Sequence, residues 1–226
     1  MAKIALPEDM RDAPAARAGE IGGPFITISR EPGCWGFSLA LLLQELLNEL
    51  KPPGRAWRLY RKEILERLAE QTHLDIGTLD DEQRRRPSHL TDFFYTFSNN
   101  RPLSGYEIRN RITGIIRSEA AKGYAIFIGQ GAAGATSNMP LGMAVRLEAP
   151  EEWRTRQVAF RDGVTLSQAR HRLAEMQHEQ EYLRKIYDMR FPRKPACHLM
   201  FDCSAFTLAQ IAQQVVFALK LRGLVS

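Results

Sequence analysis

The sequence predicts an α/β fold in three layers, a mostly parallel sheet with helices on both faces. Three observations carry this. Short apolar, β-branched runs such as "FITIS" (25–29) and "YAIFIG" (124–129) alternate with stretches of helical period. The runs are continuously apolar rather than alternating, as in strands covered on both faces. The chain has 226 residues, 44% hydrophobic and 25% charged, which suits one ordinary globular domain with a full core.

Each element follows in order. "FITIS" ends at a turn signal and reads as a buried strand. Residues 37–50 are apolar nearly all round and read as a buried helix, stopped by "KPPG" at 51–54. "WRLY" (57–60) is a second short strand and "RKEILERLAEQ" (61–71) an amphipathic helix. Residues 75–103 are polar and then aromatic, a charged excursion from the domain. Ser104 caps a helix that Gly123 stops. "YAIFIG" is the next strand, "QGAAGATSNMP" a small-residue loop or helix start, and "MAVRLEA" (143–149) another strand. Pro150 opens the helix "PEEWRTRQVAFRD". A long helical region (166–190), the strand "HLMFDC" (198–203) and an amphipathic helix, "TLAQIAQQVVFALKLRG", complete the chain. Residues 1–23 are expected to be a flexible leader, and 24–226 a single domain.

Charge and cysteine content narrow the function. The formal charge is +5, which suits an anionic ligand, but it is spread along the chain. Arg84-Arg85-Arg86 reads as a solvated surface run, and no nucleic-acid-binding motif accompanies it, so nucleic acid is not the expected partner. The three cysteines have no CxxC spacing, which implies neither a zinc site nor a disulfide framework. A reduced, cytoplasmic setting fits. No apolar stretch is long enough to span a bilayer, and the first residues lack the apolar core of a secretory signal.

In a sheet of this kind ligands sit beyond the carboxyl ends of the strands, here Ser29–Ser38, Gly129–Gly131 and Ala149. The stretch "REPGCWGFS" (30–38) lies between a strand and a helix, as a phosphate loop does. Glycines there let backbone N–H groups point at an anion, and the helix N-terminus adds positive potential. Laid on the G-x-x-x-x-G-K-[ST] pattern, Gly36 and Ser38 match, whereas Glu31 replaces the first glycine and Phe37 the lysine. Taken alone, the stretch reads slightly better as a tight strand-to-helix turn built on Gly33 and Gly36.

Other candidates read more blandly. Cys34 sits where a helix N-terminus lowers a thiol pKa, yet a small loop residue is the simpler role. His73, His89, His171, His178 and His198 show no metal-binding spacing. Asp80-Asp81-Glu82 is a charged loop. "FFYTF" (93–97) packs under the excursion or offers a base-stacking or dimer surface.

Several motifs in fixed order then resemble one family. These are "ITISREPGCWG" (26–36), "WRLYRKEILERLAE" (57–70), "IGQGA" (128–132), "VRLEAPEEWRTRQVAFRDG" (145–163) and "CHLMFDC" (197–203). Together they resemble the cytidylate kinase-like branch of the P-loop nucleoside monophosphate kinases, from about Pro24 to the C-terminus. The resemblance implies a three-layer P-loop kinase-like fold, a lid-like helical region over 150–195, and cytoplasmic ATP- and magnesium-dependent phosphoryl transfer to a small nucleotide-like acceptor. It implies that the loop residues Gly33, Cys34, Trp35, Gly36, Phe37 and Ser38 hold the phosphates. Ser38 would bind Mg2+, and Arg154 and Arg161 would neutralise the transferring group. The chain departs from the family pattern at Trp35, Phe37, Arg61 and Gln130. Arg30, Arg61, Lys62 and Arg184 are further sources of the charge missing at Phe37. The departures keep two alternatives open: a catalytically degenerate nucleotide-binding or regulatory protein of the same fold, and an interaction module, a homodimer among its forms, that binds no nucleotide.

Overall fold

The computed structural model describes residues 22–61, 105–187 and 197–226. The leader to Ile21, the helix expected over 61–71 from its second residue on, the excursion at 75–103 with its aromatic run, and the end of the 150–195 region lie outside them. In chain order the elements are β1 (Phe25–Arg30), α1 (Gly36–Glu49), β2 (Arg58–Tyr60), α2 (Gly105–Lys122) and β3 (Ala125–Ile128). There follow α3 (Ala132–Ala135), β4 (Gly142–Glu148), α4 (Glu151–Asp162), α5 (Leu166–Tyr187), β5 (Leu199–Asp202) and α6 (Leu208–Leu221). Every strand expected from an apolar run is present within a residue or two of its expected bounds.

The five strands form one sheet in the order β2-β3-β1-β4-β5, and each adjacent pair is parallel. β1 is central, with Ile26 facing Ile126 of β3 and Met143 of β4 in register. Alternate residues of β1 serve opposite layers. Ile26 and Ile28 join Leu39, Leu43 and Leu47 of α1 and Ile211, Val215 and Leu219 of α6 in one buried cluster. On the other face Phe25 meets Phe127 edge-on, and Phe127 stacks on Tyr60. Ile112 and Ile116 of α2 are buried, and the Tyr60 hydroxyl donates to Glu119 at 2.7 Å, which ties α2 to that face. Each fully buried Leu or Ile contributes about 1.5–3 kcal/mol, so these two clusters fix the central strand and, through it, the loop it feeds.

Helix ends follow local chemistry. Gly123 takes a left-handed φ of +72° and stops α2. Pro150 stands at the N-cap of α4, one residue before its first turn. Thr207 and Gln210 form a reciprocal capping box that starts α6. Val158 of α4 packs on Ala169 and Leu173 of α5, so these two helices form a small satellite unit. Among the described residues no helix is long and apolar enough to cross a membrane.

Candidate functional site

The carboxyl ends of β1, β3, β4 and β5 gather the candidate residues on one edge of the sheet. The turn after β1 enters α1 with Trp35 at the N-cap. Two of its amides are spent internally: Cys34 N–H donates to Glu31 O at 3.1 Å, and Gly36 N–H to Cys34 O at 2.7 Å. The amides of Gly33, Trp35, Phe37 and Ser38 donate to no acceptor among the described residues. Four backbone donors at the start of a 14-residue helix make a concentrated positive end. Cys34 and Gly36 therefore shape the loop, and the other four are the ones left to face an anion.

Arg154 holds the loop from below. It is buried, although it comes from the first turns of α4. Its Nε donates to Ala149 O at 2.9 Å and lies 3.3 Å from Glu31 Oε2, while Nη1 donates to Pro32 O at 3.2 Å. The Ala149 N–H donates to the same Glu31 carboxylate. Gly33 has φ +86°, and a Cβ there would stand 2.8 Å from the Arg154 Cβ and 3.0 Å from its carbonyl oxygen. Only glycine lets the loop rest on α4 in this way. The resemblance puts the Arg154 guanidinium on a phosphoryl group; the structure puts it on the loop carbonyl of Pro32, on Ala149 O at the end of β4 and on Glu31.

The other side of the loop is different. The Arg30 stem runs beneath Gly36, where a Cβ would meet its Cγ and Cδ at 3.2 Å. Its guanidinium reaches the end of β3, where a Cβ on Gly129 would overlap Nη1. Burial, and then the nearby charges of Arg61 and Arg146, lower the Arg30 pKa. Phe37 is partly exposed, and the Arg61 guanidinium lies 5.2 Å from its ring centroid, over the ring. Phe37 thus stands in the lysine position and holds an arginine against it.

At the end of β3, Gly129, Gln130 and Gly131 have φ of 67°, 55° and 69°. A left-handed glutamine is strained by about 1–2 kcal/mol, so this turn is over-determined by its surroundings. Next to the loop a cleft of about 450 Å³ is lined by Trp35, Ser38, Trp153 and the turn from Cys203 to Leu208. Trp35 Nε1 donates to Gln157 at 3.1 Å, which ties its ring to α4. Asp202 accepts from the Ser204 amide and hydroxyl, and these bonds hold its carboxyl below the usual range and fix the turn after β5. Cys34 is buried, and its hydrogen bond to Cys203, burial and nearby Glu31 push its thiol pKa up. That is the opposite of a reactive thiol.

Arg161 does not join this group. It sits two turns further along α4, about 10 Å from Arg154 along the axis. Its Nε and Nη2 donate to Asp162 at 2.6 and 3.1 Å, and Arg172 adds a third bond to that carboxylate at 2.9 Å. Sequence reasoning did not single out Trp153, the turn 204–207, or the clearance that Gly129 gives Arg30. Strand order sets these placements: β5 lies beside β4, which brings up the turn 204–207, and β3 lies beside β1, which brings Gly129 to Arg30. Among the described residues no group of His, Cys, Asp and Glu is arranged to hold a metal ion.

Residues 25–205 match the model of the cytidylate kinase-like family. The chain belongs to that family. A solved structure of an uncharacterized protein from Eubacterium ventriosum shares the fold, with a TM-score of 0.60 and 19% identity over 87% of this chain and 98% of that one. Shikimate kinase from Bacteroides thetaiotaomicron matches with a TM-score of 0.46 and 12% identity over 87% of this chain and 98% of that one. Shikimate kinase from Acinetobacter baumannii, solved with shikimate, matches at 0.45 and 16% over 88% and 94%. No curated protein matches. The family, the parallel sheet and the helices on both faces agree with the sequence expectation, and the chain is kinase-like.

Proposed function

We propose that this protein is a cytoplasmic ATP- and magnesium-dependent phosphotransferase acting on a small nucleotide-like acceptor. One observation carries the reading: the unengaged amides at the start of α1 open directly beside the cleft lined by Trp35, Ser38, Trp153 and Phe206. A polyphosphate fits the first and a flat base the second. The donor set suits the group, since backbone N–H and a hydroxyl are what a magnesium–nucleotide takes. When bound, ATP supplies the phosphoryl group and magnesium neutralises part of its charge.

The residues divide the work. The amides of Gly33, Trp35, Phe37 and Ser38 bind phosphate oxygens, and the Ser38 hydroxyl is the magnesium ligand. Cys34 and Gly36 keep the loop's curvature. Trp35, Trp153 and Phe206 give the base apolar surface. Arg154 orients the loop, and Arg161 is a lid-side cation that reaches the transferring group by giving up Asp162. A second reading, nucleotide binding without turnover, is favoured by the loss of basic character at Phe37 and Gln130.

The test is ADP release with ATP, magnesium and a panel of nucleoside monophosphates, CMP first, run beside thermal unfolding. Turnover that needs an acceptor and is lost in Ser38→Ala supports the transferase. A raised midpoint with no turnover selects the second reading. No shift and no turnover at millimolar ATP sinks both.

A further inference from the structure

The family pattern's basic charge is missing at Phe37, and the structure shows where a replacement stands. Arg30 leaves β1 at the start of the loop, and its guanidinium makes no hydrogen bond or ion pair among the described residues. No side-chain nitrogen of Arg30 is among those sealed from solvent without a partner. The acids near it are already committed. Glu31 pairs with Arg154, and Glu148 pairs with Arg146 at 3.0 Å. Arg61 lies near enough to add its own positive charge and is steadied by the Phe37 ring.

A half-buried cation with no counter-ion among the described residues, beside other cations, is costly in isolation. The cost is offset when an anion arrives, and guanidinium is suited to phosphate oxygens. Two glycines keep this cation in place. Gly36 is not among the positive-φ glycines, so its missing side chain is explained by the Arg30 stem beneath it. Gly129 leaves room for Nη1 itself.

We infer that Arg30, with Arg61 beside it, is the polyphosphate-neutralising site of this chain, acting from the end of β1 in place of a lysine at position 37. The ligand class is a nucleotide di- or triphosphate, or pyrophosphate as its minimal form. The inference rests on the nucleotide reading above but is separable from it.

Isothermal titration with Mg–ATP and with magnesium pyrophosphate separates them, using wild type, Arg30→Gln, Arg61→Gln and Arg30→Gln/Phe37→Lys. Thermal unfolding confirms that each variant is folded. Arg30→Gln is expected to weaken both ligands by about ten- to a hundredfold. Arg61→Gln should weaken them less. Phe37→Lys in the Arg30→Gln background should recover at least part of the loss, which a merely structural Arg30 would not allow. Wild-type binding of pyrophosphate without ATP binding would keep the arginine site and end the nucleotide reading. ATP binding unchanged in Arg30→Gln would overturn the arginine site and leave that reading standing. If wild type binds neither ligand, both fall.

Discussion

The two flanks of the loop between β1 and α1 use the same residue type for opposite ends. On one flank Arg154 is buried and spends its donors on Ala149 O, Pro32 O and Glu31. On the other flank Arg30 is half-buried and bonded to no acceptor among the described residues. A cation whose partners all lie in the protein is part of the architecture. A cation held in place by steric fit, with the described acids near it already paired, is available to an incoming anion. The adjoining glycines differ in the same way. Gly33 is needed for its φ and for contact with Arg154, and Gly36 for clearance above Arg30.

The largest expected effect comes from filling the Arg154 flank. Gly33→Val should cost about 3 kcal/mol or more of unfolding free energy, because it adds φ strain to a backbone overlap. Urea unfolding measures it, and a loss under ~1 kcal/mol would mean that α4 is not seated on the loop. Arg154→Met should cost about 2–4 kcal/mol by leaving Glu31 and the carbonyls of Pro32 and Ala149 without their partner. Its effect should be non-additive with Glu31→Gln in a double-mutant cycle.

The Arg30 flank should behave differently. Arg30→Met should leave stability within about 0.5 kcal/mol or raise it, since it removes a poorly paired cation. A loss as large as that of Arg154→Met would erase the contrast. Gln130→Gly at the β3 turn should stabilise by about 0.5–1 kcal/mol, by relieving a left-handed non-glycine residue. The smallest effect lies at the far end of α4. Hydrogen bonds from Arg161, opposed by partial burial and joined by Arg172, hold the Asp162 carboxyl below its ordinary range. A depressed folded pKa contributes stability above the unfolded value, about 4, and that stability is lost as pH falls through the folded value. Asp162→Asn should therefore cost a small amount of stability near neutrality, a difference from wild type that shrinks as pH falls below about 4, so that acid destabilisation is flattened.

Much of this was legible in the sequence because apolar runs report burial directly. "FITIS", "YAIFIG" and "MAVRLEA" could only be buried strands, and Gly123 and Pro150 mark helix ends by backbone chemistry alone. The loop was legible as a strand–turn–helix with two glycines. What each glycine clears was not, because the obstacles are Arg154, 121 residues after Gly33 by the difference of their numbers, and a side chain that doubles back from β1. Arg154 stood at the spacing of a family motif, and spacing does not say which way a guanidinium turns. The cleft wall at 204–207 was hidden for a similar reason. It depends on β5 lying beside β4, which no local pattern in "HLMFDC" encodes.

The most direct measurement is the thermal midpoint of wild type, Arg30→Gln and Arg154→Met, each with and without millimolar Mg–ATP. The account predicts that Arg30→Gln melts with wild type in the absence of nucleotide and loses most of the nucleotide-induced rise. Arg154→Met should melt several degrees lower before any ligand is added. The account is contradicted if Arg30→Gln melts as low as Arg154→Met and still rises with Mg–ATP as wild type does.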